Sequence, residues 1–417
     1  MTNTALQSAA AILLMVVVFG CGAAPTGSVM GPWQAEFTTV GDTTVVRTLS
    51  GSDWEVVVDL VEELRIGQVE GAEYEMFGVI GGLAVAPSGE ILVYESQANE
   101  VRRYSEDGSY VGLLGGPGAG PGEYQNVAGI GIWDDGQIVL SDFGNRRFNV
   151  YEPDASFATS WPIRPAIAEA RPLHTTVEHG LFLHDLHLLG DGASWSEVLV
   201  RLDKNGVPID TLVVPFADYR PPAIEVKTER SSVGMALPFS PIPAWSITSA
   251  GNLVAMHGNR YAIDILRTDG SILRIERTVA FVPVTASERA AEEVRITAFF
   301  RRFVDGWTWD GPAMPVNKPP VKWVHTGSDG TIWVQVAQVG SPVAQAGSGS
   351  KGANVVREPV VFDVFESDGR FLGEVRAPEG FQTQPYPIFQ RDAIVAVVED
   401  ENEVSFVARF RIGSPDS

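Results

Sequence analysis

Three side chains that can carry chemistry stand at one distance from three turn glycines. Glu95, Asp142 and His257 each follow Gly89, Gly136 and Gly251 by six residues. Taking His179 as the turn position of a further copy aligns Asp185 with them. Clustered carboxylate oxygens suit a hard cation such as Ca²⁺, and an imidazole among them suits Zn²⁺ with an open coordination position. On one ring, the four residues would make a ligand or ion site. The plainer use of such side chains is to accept hydrogen bonds from neighbouring backbone N–H groups. Two further copies place Val336 and Val398 at this position, so the ring is incomplete and no symmetric metal cage is expected.

Histidines form a second group. His174, His179, His184 and His187 are four of the six in the chain and fall within 14 residues. His184 and His187, three apart on a strand, point to opposite faces and cannot both bind one ion. His257 and His325 stand in other copies and could join them. No His-Glu-x-x-His spacing, Gly-x-Ser-x-Gly elbow or phosphate loop is present. The glycine-rich run at 115–122 leads into a strand, not into a helix whose N-terminus would hold phosphate.

These residues are positioned by a repeat. From Ile80 to Tyr151 a pattern of about 45 residues is written twice: apolar run, Gly turn, apolar run, polar loop, alternating run, turn. Its two turns are 19 residues apart from Gly89 to Gly108, and again from Gly136 to Ala155 and from Gly251 to Gly270. Gly, Asp-Gly and Asn-Gly turns supply positive φ between paired strands. Each copy therefore reads as four antiparallel strands, and the period is that of propeller blades. Looser copies follow near Leu181 to Val214, Leu253 to Ile275, Ile332 to Val375 and Ala393 to Ile412. The expected fold is all-β, a six-bladed β-propeller of four-stranded antiparallel blades. The last copy has only three strands, so the N-terminal strand Thr43 to Leu49 is expected to complete it and close the ring. A propeller leaves no long unpaired sheet edge.

Interruptions are expected near 216–243, 285–320 and 339–354. The second holds one helix, Thr285 to Phe303, with Thr285 and Glu288 at capping-box spacing and an apolar stripe of Ala291, Val294, Ala298 and Phe303.

The stretch DGQIVLSDFGNRRFNVYEPDASF, 135–157, resembles an NHL repeat, and Gly120 to Tyr124 is similar to the Gly-Pro-Gly-Glu-aromatic link between NHL-type blades. The chain beyond residue 41 resembles uncharacterised six-bladed NHL-like propeller lipoproteins of bacteria. That resemblance implies a binding scaffold. A minority of such propellers are lyases or lactonases, usually with a metal in the central channel. It also implies that the side chains at the Glu95 and Asp142 position serve as caps.

The chain has 417 residues, 52 acidic and 30 basic, for a formal net charge of -22. Such a protein is repelled by nucleic acid and by anionic lipid, so neither is an expected partner. Cys21 is the only cysteine, which excludes an internal disulfide. The apolar run Ala9 to Gly20 is too short to span a bilayer and fits a secretory leader. Val18 to Cys21 resembles a bacterial lipobox, which implies acylation of Cys21, and Gly22 after it implies the outer membrane. Without acylation the protein would be periplasmic or secreted. The expected organisation is a signal peptide at 1–20, a lipidated tether at 21–41 and a propeller at 42–413. The expected function is a non-catalytic, monomeric envelope platform that binds a protein or small ligand on one face, with no cofactor. The alternative is a lyase or lactonase using Ca²⁺ or Zn²⁺ in the channel, with Glu95, Asp142, Asp185 and His257 as the candidate ring.

Overall fold

A computed structural model describes residues 29–163, 173–178, 180–188, 195–216, 219–227, 232–343 and 355–413. The expected leader, Cys21, His179 and residues 344–354 of the third insertion lie outside the described residues. What is described is mostly β, with one α-helix, Ala286–Phe300.

Alternating apolar runs pair in successive antiparallel groups. The first group is Ile80–Val85, Ile91–Glu95, Glu100–Tyr104 and Tyr110–Leu113. The second is Val127–Ile132, Ile138–Asp142, Arg147–Tyr151 and Phe157–Pro162. The third is His174–Thr175, Leu181–Leu188, Trp195–Leu202 and Pro208–Val213. The fourth is Ala244–Ile247, Leu253–Met256, Ala262–Leu266 and Ile272–Arg277. The fifth is Val321–Thr326, Ile332–Val336, Val361–Phe365 and Phe371–Arg376. The sixth begins with Ile388–Phe389, Ala393–Glu399 and Ser405–Ile412.

One turn recurs between the first two strands of a group. Gly89 N–H donates to Ala86 O at 2.9 Å, Gly136 to Trp133 O at 2.8 Å, Gly251 to Thr248 O at 2.8 Å and Gly330 to Gly327 O at 3.0 Å. Their φ angles, 86°, 85°, 81° and 87°, lie in the left-handed region that glycine enters without a Cβ clash. The same conformation is forced on a side chain once on this ruler, at Ala155 with φ 68°.

Each pair of neighbouring groups shares an apolar core. Leu92 and Leu140 pack between the first and second groups, and Val139 with Leu181 between the second and third. Leu199 and Trp245 join the third to the fourth, Ile263 and Val334 the fourth to the fifth, and Phe362 and Ala396 the fifth to the sixth. Val93 and Val395 then join the sixth back to the first. The groups thus close on themselves in a propeller-type arrangement. A fully buried Leu or Val in these clusters contributes about 1.5–3 kcal/mol relative to exposure.

The strand that completes the sixth group differs from the expected one. It is Val57–Ile66, not Thr43 to Leu49. Its second half, Leu60 to Ile66, runs antiparallel to Ile412–Val407. Its first half, Val57 to Asp59, runs parallel to Glu374–Arg376 of the fifth group. One strand therefore bridges two sheet edges, and it can do so because Val58 is buried in its first half and Leu60 and Ile66 in its second. Thr43–Ser50 instead lies parallel to Ile272–Arg277 at the outer edge of the fourth group, held by buried Val46. Gln34–Val40, expected within the tether, pairs with it as a hairpin.

The insertions at 216–243 and 285–320 form one satellite core. The hairpin Ala223–Lys227/Ser232–Ala236 buries Ile224 and Val226 against Ile296 and Phe300 of the helix. The capping box forms: Glu288 N–H donates to Thr285 Oγ1 at 3.2 Å, and Thr285 N–H to Glu288 Oε2 at 2.8 Å. The apolar stripe does not, because Val294, Ala298 and Phe303 are exposed and Ile296 and Phe300 face the hairpin. Lys318, only 4% exposed, fixes this lobe to the ring. Its Nζ lies 2.5 Å from Glu288 and 2.9 Å from Glu358, and donates to Gln338 O at 2.5 Å.

Candidate functional site at the centre of the ring

The first strand of each group is innermost, and together these strands and the turns after them enclose a cavity of about 390 Å³. Leu83, Ile130, Thr175, Ser246, His325 and Phe389 supply one lining residue from each group in turn. A volume of this size suits a small organic ligand.

The cavity's polar wall comes from one register position. Five residues before each inner turn stand Ala84, Gly131, His174, Ser246 and His325. His174 belongs to this set because Thr176 N–H donates to Gly180 O at 3.0 Å, as Ala86 N–H does to Glu90 O at 2.8 Å. All five line the cavity. The small residues of the first two groups thus face a wall of two imidazoles and a hydroxyl.

His325 is the most informative of them. It is 7% exposed, and its Nε2 is buried with no hydrogen-bond partner among the described residues. Its ring lies 5.0 Å from Phe389, 5.7 Å from Tyr386 and 6.2 Å from Phe362, centre to centre. Burial among these rings pushes its pKa down to about 3, with nearby His174 acting in the same direction. At neutral pH the imidazole is therefore uncharged, with one N–H donor and one acceptor nitrogen. Beside it, Ser246 Oγ and Thr326 Oγ1 are 2.9 Å apart, and Thr326 Oγ1 donates to Ile247 O at 2.8 Å. Thr175 Oγ1 donates to Ile132 O at 2.7 Å. A side slot of the cavity is walled by Trp245, Trp323 and Tyr386.

The expected ring of Glu95, Asp142, Asp185 and His257 does not line this cavity. Glu95, 3% exposed, accepts Val79 N–H at 2.8 Å and Ala98 N–H at 2.5 Å. Asp142, wholly buried, accepts Gln125 N–H at 3.0 Å, Asn145 N–H at 3.2 Å and Asn145 Nδ2 at 2.6 Å. Both close loops at the far end of the second strand, the capping use. Asp185 pairs across the third group with Val198. His257 packs its ring 4.3 Å from Tyr219 and 5.1 Å from Phe216. Of the histidine cluster, His174 and His184 both lie against Trp245, at 5.5 and 5.6 Å, and His184 Nε2 is 3.3 Å from Glu197. His179 and the side chain of His187 are outside the described residues. Trp307 packs 4.8 Å from Phe300 in the satellite core.

A channel metal of the kind the lyase and lactonase resemblance implies needs three or more donors in convergence. Among the described residues no three His, Cys, Asp or Glu side chains form such a group. The described residues do not fit it.

No family model matches the chain, and no curated protein matches it in sequence. Solved structures do. A candidate exported protein from Bacteroides fragilis is 11% identical with a TM-score of 0.46, over 85% of this chain and 95% of that one. A member of the duf4221 family from Bacteroides vulgatus is 10% identical with a TM-score of 0.46, over 86% and 99%. Virginiamycin B lyase from Staphylococcus aureus is 12% identical with a TM-score of 0.37, over 85% and 99%. Likeness at this level says nothing of a shared site. Among the described residues no helix is long and apolar enough to cross a membrane.

Proposed function

We propose that the chain is an exported, six-bladed, NHL-like propeller that binds a small ligand in its central cavity without transforming it. The observation that carries this reading is the wall of His174, Ser246 and His325, three polar side chains from successive groups that line the cavity, with the His325 imidazole held uncharged by burial. The six antiparallel groups, each giving its first strand to the cavity, support the blade count. The leader and Cys21 support anchorage through an acylated cysteine, at the outer membrane by the Gly22 rule. The protein then acts as a monomeric envelope receptor facing away from the bilayer on its tether.

The test is a thermal-shift screen of the purified mature protein against a small-molecule library, repeated on His325→Phe. Hits whose stabilisation disappears in the variant support the reading. Hits unaffected by it, or a complete absence of hits, overturn it. Incorporation of labelled palmitate that is lost in Cys21→Ala tests the anchor separately.

A further inference from the structure

The cavity also carries information on what it would hold, starting with charge. Among its described lining residues Asp134 is the only acidic one, and there is no Lys or Arg. A carboxylate, sulfate or phosphate entering it would lose its water and gain no cation, and the chain's net charge of -22 adds to the penalty. Anions are disfavoured on energetic grounds.

The hydroxyl protons give the next constraint. Thr326 has one hydroxyl proton, and the bond to Ile247 O uses it. In the 2.9 Å contact with Ser246 the donor must therefore be Ser246. Thr175 likewise directs its proton to Ile132 O. Three cavity hydroxyls, from the third, fourth and fifth groups, thus donate into the wall and have only lone pairs left for a ligand. A ligand that meets these three must bring donors of its own.

His325 adds the complementary feature. A neutral imidazole presents one donor and one acceptor, and a hydroxyl group both donates and accepts. Tyr386 and Phe389 add ring surface beside this polar wall. The negative face of an aromatic ring attracts polarised C–H groups. The opposite side, at Ala84 and Gly131, carries no bulky side chain at this register.

We propose that the cavity binds an uncharged polyhydroxylated compound, a sugar of one or two rings, with its hydroxyls on His325, Ser246, Thr175 and Thr326. This rests on the reading that the central cavity is the binding site. A cavity of about 390 Å³ is large enough for such a ligand. A protonated amine would also bring donors, with Asp134 and the net charge of -22 in its favour, and glucosamine in the panel below separates it from a neutral sugar.

The experiment is ligand-observed NMR followed by calorimetry on the mature protein. The probes are a panel of neutral mono- and disaccharides, with glucuronate, glucosamine and phenol as charged and apolar controls. At least one neutral sugar should bind, and glucuronate should not. Ser246→Ala should weaken that sugar by about 3- to 10-fold, the effect of one neutral hydrogen bond. His325→Phe should weaken it at least as much, and His325→Gln should restore part of the affinity. Melting temperatures of the variants separate lost binding from lost folding. If glucosamine or phenol binds in a His325-dependent manner and no neutral sugar does, the ligand class is wrong and the cavity reading stands. If nothing binds, both fail. If a sugar binds equally to wild type, Ser246→Ala and His325→Phe, its site is elsewhere and the inference is overturned.

Discussion

Replacing His325 by Phe should remove a large part of the protein's sensitivity to mild acid. In the folded ring the imidazole has a pKa pushed down to about 3 from an ordinary 6.5. The unfolded chain therefore takes up a proton that the folded chain refuses at any pH between these values. Stability contributed by the neutral form is complete above about 6.5 and falls as pH drops, until the folded pKa is reached. Between pH 7 and pH 5 the unfolded imidazole goes from about a quarter protonated to almost fully protonated, which costs about 2 kcal/mol of folding free energy. Phe has a similar shape, suits the neighbouring Phe362, Tyr386 and Phe389 rings, and has no nitrogen to leave without a partner. At pH 7 the variant should equal or exceed wild type in stability. The assay is urea unfolding of both proteins at pH 7 and pH 5. All other titrating groups are common to the two proteins, so the difference of differences isolates His325. A gap that widens by about 2 kcal/mol toward pH 5 is expected. Parallel pH dependence would refute the reasoning, because His325 would then titrate as an exposed imidazole does.

Three further outcomes follow from the packing. Asp142→Ala leaves the N–H groups of Gln125 and Asn145 without their acceptor and should cost about 3 kcal/mol in denaturant unfolding, while ligand affinity is unchanged. Val58→Asp puts a charge into the strand that joins the fifth and sixth groups, at a residue 4% exposed. It should cost more than about 3 kcal/mol and lower the steepness of the calorimetric transition. Asp363→Ala removes the buried carboxylate shared by Arg277 and Tyr261, and the cation left behind should cost about 3–5 kcal/mol, read as a lowered Tm.

The repeat was legible because its turns are chemically constrained. A left-handed φ favours glycine, so Gly89, Gly136, Gly251 and Gly330 stand out at fixed spacing and locate the strands around them. The capping box of the helix was legible for a similar reason, since Thr285 and Glu288 interact locally. The closing strand was not. Thr43–Ser50 and Val57–Ile66 are both apolar, β-rich runs, and their partners lie more than two hundred residues away along the chain. Nothing local distinguishes which run meets which edge.

The site was half legible. Counting six residues forward from the turn found equivalent positions, but those positions end the second strand, where Glu95 and Asp142 hold loops. Counting five residues back finds His174, Ser246 and His325 on the innermost strands, which is where the cavity is. The signal was present as polar residues at one register position of the first strands. What sequence could not supply was the direction of the hydroxyl protons or the burial of the His325 nitrogen, since both depend on neighbouring groups.

A ligand in the cavity should rest against the His325 ring. The most direct measurement is the ¹⁵N spectrum of the histidine ring nitrogens, with His325 identified by its loss in His325→Phe, recorded with and without a saturating ligand from the screens. The His325 ring nitrogens should shift on binding while the His257 nitrogens stay in place. An unmoved His325 signal under a ligand that demonstrably binds would contradict it.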